Sequence, residues 1–100
     1  MATSKEYLEY VLEQLPRSDV TYRPMMGEYV LYYKGKVIGG IYDDRFLVKP
    51  TKSALAAMPN ARRERPYPGA KEMVLVEEMD DRDFLQNLLE LTHGELLARK

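Results

Sequence analysis

The sequence contains no cysteine and only one histidine, His93. The lack of cysteine excludes disulfide bonds, thiolate zinc sites and cysteine nucleophiles, and it fits the reducing cytoplasm. A catalytic triad could use only His93, and none of the serines (Ser4, Ser18 and Ser53) stands in the Gly-x-Ser-x-Gly context of a nucleophile elbow. Because a single imidazole cannot assemble a multi-histidine metal site, we expect no metal centre.

Long apolar runs and glycine-rich loops are also missing. No apolar run approaches the roughly 18 residues that a membrane span needs. The first ten residues carry a charge every few positions and lack the apolar segment of a signal peptide. The adjacent pair Gly39-Gly40 lies inside a strand pattern, so it matches neither a P-loop nor a dinucleotide-binding fingerprint. We therefore expect a soluble cytoplasmic protein that binds no cofactor and does not contact the membrane.

The total charge and length describe an ordinary small domain. The chain has 100 residues and a formal net charge of −1. This length predicts a single domain over residues 1–100 that buries about two-thirds of the surface exposed by the unfolded chain. Since no catalytic constellation is recognisable, we predict that the protein is not an enzyme. If it has any chemistry, the first residue to examine is Lys49, near the end of a predicted strand.

Residues 20–50 carry the strongest local pattern in the chain. Runs of β-forming residues alternate with two-residue turns, which is typical of an antiparallel meander. The runs and turns are, in order, 28–33, Lys34-Gly35, 36–42, Asp43-Asp44 and 45–49. An additional strand precedes them at 20–23, and Pro24 limits it to an edge of the sheet or to an end of the ladder. Gly27 then allows the chain to bend directly into the next strand.

Helical spacing of apolar residues marks three further segments. A first helix is predicted over residues 4–15, with Thr3 at the position of a capping-box residue. Thr51 is a good N-cap for a short second helix. Asp80 is expected to cap the last helix, which Gly94 would kink or end early.

The order of these elements predicts the fold class. Residues 61–68 contain two prolines and are expected to form an edge strand or loop, and residues 72–78 form a strand before the last helix. We predict an α+β domain of two layers, roughly α-β(3–4)-α-β(2)-α. Its helices lie on one face of a mainly antiparallel sheet.

A concentrated basic run is the best candidate for contact with a polyanion. It contains Arg62, Arg63 and Arg65, with Tyr67 nearby. Guanidinium groups pair bidentately with phosphates, and a tyrosine ring can stack on a base. The alternative is a solvated or protein-binding edge, which the overall charge and the acidic stretch that follows also permit.

Tyrosine is unusually frequent, with eight tyrosines against two phenylalanines. The rings concentrate on the predicted meander, and two interpretations stay open. They either reflect the β-propensity of tyrosine on a half-exposed sheet or form a homodimer interface on a sheet face without helices. The residues that we expect at such an interface are Tyr29, Tyr33, Gly39 and Tyr42. The Gly39-Gly40 pair would admit a closely packed helix or the backbone of a partner.

The run from Tyr22 to Thr51 resembles the N-terminal domain of the TfoX (Sxy) competence regulators. In that family a short helix precedes an Arg-x-Met-Phe-Gly-type motif, which is followed by a strand, a turn containing glycine, a strand ending in an acidic turn and a strand ending in lysine. The matching positions are Arg23, Met25, Gly27, Tyr32, Gly35, Asp43 and Lys49. Met26 stands where the family usually has phenylalanine, and Glu28 where a second glycine is common. The resemblance continues more weakly through Tyr67 and the last helix.

The resemblance implies a secretion-chaperone-like α+β fold and a role in regulating natural transformation. Full-length members of that family act with a cyclic-AMP receptor protein at competence promoters. The resemblance implies that this chain corresponds to their N-terminal domain, without the helical C-terminal domain. We expect a stand-alone domain that binds a protein partner, itself a regulator, and forms a homodimer. The alternative is a transcriptional regulator that contacts nucleic acid through the Arg62–Arg65 edge.

Overall fold

Two-residue turns join the first four strands in the computed structural model, which describes residues 3–16 and 18–98. The φ angles of the turn residues are 52° and 86° at Met26-Gly27, 49° and 84° at Lys34-Gly35, and 52° and 57° at Asp43-Asp44. Positive φ at both central residues is the geometry of the type I′ hairpin turn, whose twist matches that of the flanking strands. The predicted meander and its turns are confirmed.

The elements follow the predicted order. They are α1 (Lys5–Gln14), β1 (Val20–Met25), β2 (Glu28–Tyr33), β3 (Lys36–Ile41), β4 (Phe46–Val48), α2 (Lys52–Ala57), β5 (Arg63–Glu64), β6 (Met73–Leu75) and α3 (Arg82–Ala98). The strands form one antiparallel sheet in the order β1-β2-β3-β4-β6-β5. The α+β class is confirmed, and the two proline-containing segments supply the edge strands β1 and β5, as proline's missing amide requires.

All three helices pack against the same face of the sheet. Leu8 and Val11 from α1, Ala54 from α2 and Leu88 from α3 belong to one buried cluster with strand residues such as Leu31. The other strand members of that cluster are Val20, Tyr33, Ile38, Ile41, Phe46, Val48 and Val74. None of the described helices has the length and hydropathy needed to cross a lipid bilayer.

Two of the predicted helix caps are displaced by one residue. The N-cap of α1 is Ser4, whose hydroxyl accepts a hydrogen bond from the amide of Tyr7, and not Thr3. Thr3 instead donates its hydroxyl to the carbonyl of Ile41 at 3.3 Å. Asp81 replaces Asp80 at the start of α3, because its carboxylate accepts from the amide of Phe84 at 3.0 Å.

Of the two other helix predictions, the one at Thr51 is correct and the one at Gly94 is wrong. Thr51 caps α2 as predicted, with its hydroxyl accepting from the amide of Ala54. Gly94 neither ends α3 nor interrupts it, since the helix continues through Ala98. A glycine costs about 1 kcal/mol in a helix interior, but the neighbouring turns of α3 are held by packing on the core.

Candidate functional site

The sheet face opposite the helices is the candidate functional surface, called the open face below. The strand register assigns to it Thr21, Arg23, Val30, Tyr32, Val37, Gly40, Leu47 and Leu75. The described helices place their buried apolar residues against the other face. Over β1 to β3, the side chains of Val30, Tyr32 and Val37 are only half-buried. A partly apolar surface of three strands is therefore accessible.

A loop covers the remaining part of the open face. Leu47 on β4 is fully buried, although the helices lie on the other side of the sheet. Residues 65–72, which connect β5 to β6 and are called the cover loop below, run over this region. Tyr67 of the cover loop places its ring 6.4 Å from that of Tyr42 in an edge-on arrangement. Tyr42 is 7% exposed as a result, whereas Tyr67 remains 53% exposed.

Arg45 ties the cover loop to the β3–β4 turn. Its guanidinium pairs with the carboxylate of Glu64 at 2.6 Å and donates to the carbonyls of Arg65 and Pro66 at 3.4 and 3.5 Å. Its Nε also donates to the carbonyl of Tyr42 at 3.1 Å. Since the charged pair is only about a quarter exposed on each side, it is screened less than a surface ion pair.

The tip of the cover loop is a tight turn. Gly69 has a φ of 87°, and the amide of Ala70 donates to the carbonyl of Tyr67 at 3.1 Å. Pro68 and Gly69 occupy the two central positions that these residues favour in a type II turn. The guanidinium of Arg65 donates to the carbonyl of Ala70 and closes the loop on itself. The cover loop is thus closed by hydrogen bonds within itself.

Between the cover loop and the open face lies a cleft of about 500 Å³. It is lined by Val37, Gly39, Tyr42, Lys49, Pro50, Pro66, Tyr67, Ala70, Lys71, Glu72 and Met73. Among the described residues, the ammonium groups of Lys49 and Lys71 have no hydrogen-bond or ion-pair partner. Burial, with Tyr67 and Glu28 nearby, raises the pKa of the Tyr42 phenol, so this hydroxyl stays neutral at physiological pH. The cleft therefore combines apolar walls with two unpaired cations.

Comparison with curated proteins links the chain to a bacterial relative. It is 37% identical over 102 residues to a Spirochaeta aurantia protein described as an uncharacterized 12.7 kDa protein in the trpE 5′ region, and the match covers 100% of this chain and 89% of the relative. The chain belongs to the family of this spirochaete protein. No family model matches the chain, and no solved structure matches it.

The residues at the Arg-x-Met-x-Gly positions do not form one site in the structure. Arg23 and Met25 are exposed on the edge strand β1. Gly27 lies in the first turn, where its carbonyl accepts from the amide of Thr3 at 3.0 Å. Lys49 stands at the end of β4 and lines the cleft. Among the described residues there is no group of three or more His, Cys, Asp or Glu that could hold a metal ion.

The prediction that Tyr29, Tyr33 and Gly39 line the open face is wrong. Their register pairs them with core-facing residues on neighbouring strands, and Tyr33 is only 1% exposed. The phenol of Tyr33 donates to the carboxylate of Glu90 on α3, which Lys34 also contacts at 2.8 Å. Burial and the hydrogen bond to Glu90 raise the pKa of Tyr33 to about 12.

The close approach predicted at the two strand glycines occurs within the chain itself. A Cβ at Gly39 would overlap the carbonyl oxygen of Leu47, so the glycine lets β4 approach β3. A Cβ at Gly40 would lie 2.6 Å from the Tyr42 ring, so this glycine makes room for that ring on the open face. The expectation of a helix or a partner's backbone at this pair is corrected accordingly. Tyr42 is the one predicted interface tyrosine that the structure places on the open face.

The basic run is divided between the two sides of the β5 edge. Arg63 pairs with Val74, whose side chain is in the core, so Arg63 lies on the helix side. Because side chains alternate along a strand, Arg62 lies on the opposite side. Arg65 lies in the cover loop, where Tyr67 is exposed. All three arginines are exposed, but they do not form one continuous patch.

Sequence reasoning named Arg65 and Tyr67 as candidates for contact with a polyanion, but it did not predict that residues 65–72 fold back over the sheet. It noted the prolines of residues 61–68 as strand breakers, but not that the Pro68-Gly69 pair marks a closed turn that could fold back on the sheet. Lys71 was missed for the same reason. The pairing of Arg45 with Glu64 spans strands that are distant in sequence, and no local pattern marks it.

Proposed function

We propose that the protein is a non-enzymatic, TfoX-type regulatory domain that binds a protein partner in the cytoplasm through its open face. The observation that carries this proposal is the accessible, partly apolar surface of β1 to β3 on the side of the sheet that has no helices. A monomer can bury both faces of a sheet with helices or loops, and within the described part of the chain the cover loop lies over the β4 end of the open face alone. Such uncovered apolar surface rimmed by polar residues is typical of protein-binding sites.

Photo-crosslinking in the source cell tests partner binding. A photoreactive amino acid replaces Tyr32 at the centre of the open face, and the matched control places it at exposed Glu13 on α1. We expect a discrete crosslinked protein from the Tyr32 position and none of that mass from Glu13. Equal patterns from both positions, or no crosslinked protein from Tyr32, would contradict binding through the open face.

The regulatory part of the proposal concerns competence genes. It is supported by the resemblance of residues 22–51 to the TfoX pattern. Deleting the gene in a naturally transformable source strain is expected to lower the transformation frequency and the transcripts of DNA-uptake genes, and complementation should restore both. Unchanged transcripts in the deletion strain would show that the protein does not regulate competence genes. That result would not contradict partner binding.

A second candidate function, contact with nucleic acid, is favoured by the distribution of charge. Residues 18–50 and 58–76, which form the sheet and its loops, contain nine Lys or Arg and six Asp or Glu. Residues 5–16, 51–57 and 77–98, which form the helices and the short segments that flank them, contain three Lys or Arg and ten Asp or Glu. A small negative net charge thus coexists with a positive sheet layer. Replacing Arg62, Arg63 and Arg65 together by alanine should abolish any salt-dependent DNA gel shift under this candidate and leave partner capture unchanged.

A homodimer is the remaining arrangement that we propose. It would use the uncovered strands of the open face, because Tyr33 is packed in the core and Tyr42 lies under the cover loop. Light scattering on the purified chain is expected to give twice the monomer mass at high concentration. A monomer mass across the accessible range would rule this arrangement out.

A further inference from the structure

We infer that the cleft beneath the cover loop binds an extended acidic segment of the partner protein and holds one apolar side chain of that segment between Val37, Ala70 and Met73. The inference rests on the proposed function and names the chemistry of the partner. A cleft of about 500 Å³ lies at the lower end of the size range of ligand pockets. It accommodates a single large side chain and its flanking backbone.

The apolar anchor follows from the lining of the cleft. Val37 and Met73 are half-buried on the two sides, and Ala70 closes the cleft from the cover loop. Pro50 and Pro66 add rigid apolar walls without amide donors. An apolar side chain that fills this space would bury both its own apolar surface and the apolar surface of the cleft.

The acidic flanks follow from the charges that the fold leaves unpaired. Lys49 and Lys71 line the cleft and have no partner among the described residues. Two carboxylates on neighbouring elements are already engaged, because Glu64 pairs with Arg45 and Glu28 accepts from the amides of Thr3 and Asp43. Glu72 lines the cleft as well, but among the described residues it forms no ion pair with either lysine. Two ammonium groups beside an apolar slot would pair with carboxylates on either side of the anchor and would reject a basic segment.

The same features favour an acidic peptide over nucleic acid at this cleft. Affinity for a phosphate backbone comes from several cations along its path, and the cleft offers two, next to the carboxylate of Glu72. Stacking of successive bases needs several accessible ring faces. Tyr67 is exposed, but Tyr42 is buried beneath it.

Selection from a random peptide library displayed on phage tests the inference. The full chain is the bait, and the library is first depleted on the variant Lys49→Gln/Lys71→Gln. We expect the enriched peptides to share one large apolar residue flanked by Asp or Glu. A chosen peptide should then bind the wild-type chain about tenfold more tightly than the double variant, which corresponds to two lost charge contacts.

Two matched variants complete the measurement. Lys5→Gln/Lys52→Gln removes the same charge from the helix side and should leave the affinity unchanged. Ala70→Leu narrows the cleft without changing charge and should weaken the same peptide, with circular dichroism checking that each variant is folded. Three results would overturn the inference. The enriched peptides could lack acidic residues, both double variants could lose the same amount of peptide affinity, or the chain could bind oligothymidylate more tightly than any peptide. A crosslink from Tyr32 combined with any of these results would leave the proposed function standing and reject only the acidic segment.

Discussion

At the scale of single residues, Tyr33 shows how one side chain joins the two layers. Its ring is buried at the end of β2, and its hydroxyl reaches Glu90 on α3. His93, one turn further along α3, packs edge-on against the same ring at 5.6 Å between ring centroids. The hydroxyl of Tyr33 therefore links sheet and helix only while it carries its proton.

This linkage predicts a loss of stability at alkaline pH. The pKa of Tyr33 is raised from 10.0 to about 12, so the contribution of its neutral hydroxyl is fully present below pH 10 and is lost as the pH rises towards 12. The variant Tyr33→Phe is expected to be less stable at neutral pH and to lose less stability than the wild type over that interval. Urea unfolding from pH 8 to 12 measures both effects, and Tyr10→Phe on the exposed side of α1 is the control. If the free energy of unfolding falls in parallel with pH for Tyr33→Phe and the wild type, the prediction is contradicted.

Gly40 is a residue at which a single added methyl group should lower the stability of the chain. We expect Gly40→Ala to lower the free energy of unfolding by about 1–3 kcal/mol, because its Cβ would displace the Tyr42 ring or the carbonyl of Tyr29. Gly94→Ala serves as the opposite control, since its Cβ meets nothing within 4 Å and α3 would gain about 0.5–1 kcal/mol. Thermal unfolding of both variants checks the prediction, and a stabilised Gly40→Ala would show it to be wrong.

At the scale of elements, the β1–β2 hairpin ends in an unusual turn. Met26 is 98% exposed and adopts a φ of 52°, a conformation that costs an L-residue about 1 kcal/mol and that asparagine adopts more readily. The Lys34-Gly35 turn between β2 and β3 has similar φ angles, with a hydrophilic residue at the position that corresponds to Met26. The methionine is thus unfavourable both in backbone conformation and in exposure.

Met26→Asn should therefore stabilise the chain. The Asn-Gly pair is the preferred sequence of a type I′ turn, and we expect the free energy of unfolding to rise by about 1 kcal/mol. Met25→Asn is the comparison, because it changes an adjacent exposed methionine that lies in β1 and should give no gain. Urea unfolding of both variants gives the answer, and a destabilised Met26→Asn would indicate that this side chain makes a stabilising contact.

The closed position of the cover loop depends on the hydrogen bonds of Arg45. Arg45→Met keeps an unbranched side chain in place of the apolar stem but removes its hydrogen bonds to the loop, so we expect the loop to open more often. Hydrogen exchange at the amide of Ala70 should accelerate about tenfold, which corresponds to about 1.4 kcal/mol, while the amide of Leu8 in α1 stays protected. Unchanged exchange at Ala70 would mean that the apolar contacts alone hold the loop.

At the scale of the whole molecule, the layers differ in charge as well as in structure. The helices together with the short segments that flank them carry most of the acidic side chains, and the strands with their loops carry most of the basic ones. One core lies between the layers, and α3 contributes Leu85, Leu88 and Leu89 to it. The layers are therefore expected to unfold together.

Leu88→Ala tests this cooperativity. The side chain is almost completely buried, and its truncation is expected to cost about 2–5 kcal/mol. Far-ultraviolet circular dichroism and tyrosine fluorescence should give coincident transitions in the variant and the wild type, as a two-state domain requires. Separate transitions for helices and sheet would show that the layers are independent folding units.

Much of the fold could be predicted because its signals are local. Several of these signals depend only on neighbouring residues and their backbone preferences. They include the turns at Lys34-Gly35 and Asp43-Asp44, the restriction that Pro24 places on β1, and the cap at Thr51. The cap positions at Ser4 and Asp81 were missed by one residue, because adjacent residues in each pair can accept the same hydrogen bond and only packing selects between them.

The sequence by itself determined the order of helices and strands, the antiparallel pairing of the meander and the alternation of Tyr29, Leu31 and Tyr33 against Val30 and Tyr32. Tertiary structure alone decided which of those two faces the helices cover, because both are apolar and a strand's periodicity does not distinguish them. It also placed the cover loop over Tyr42 and brought Lys49 next to Lys71. These contacts join residues distant in the chain, and their free energy comes from burial and charge pairing that no local pattern records.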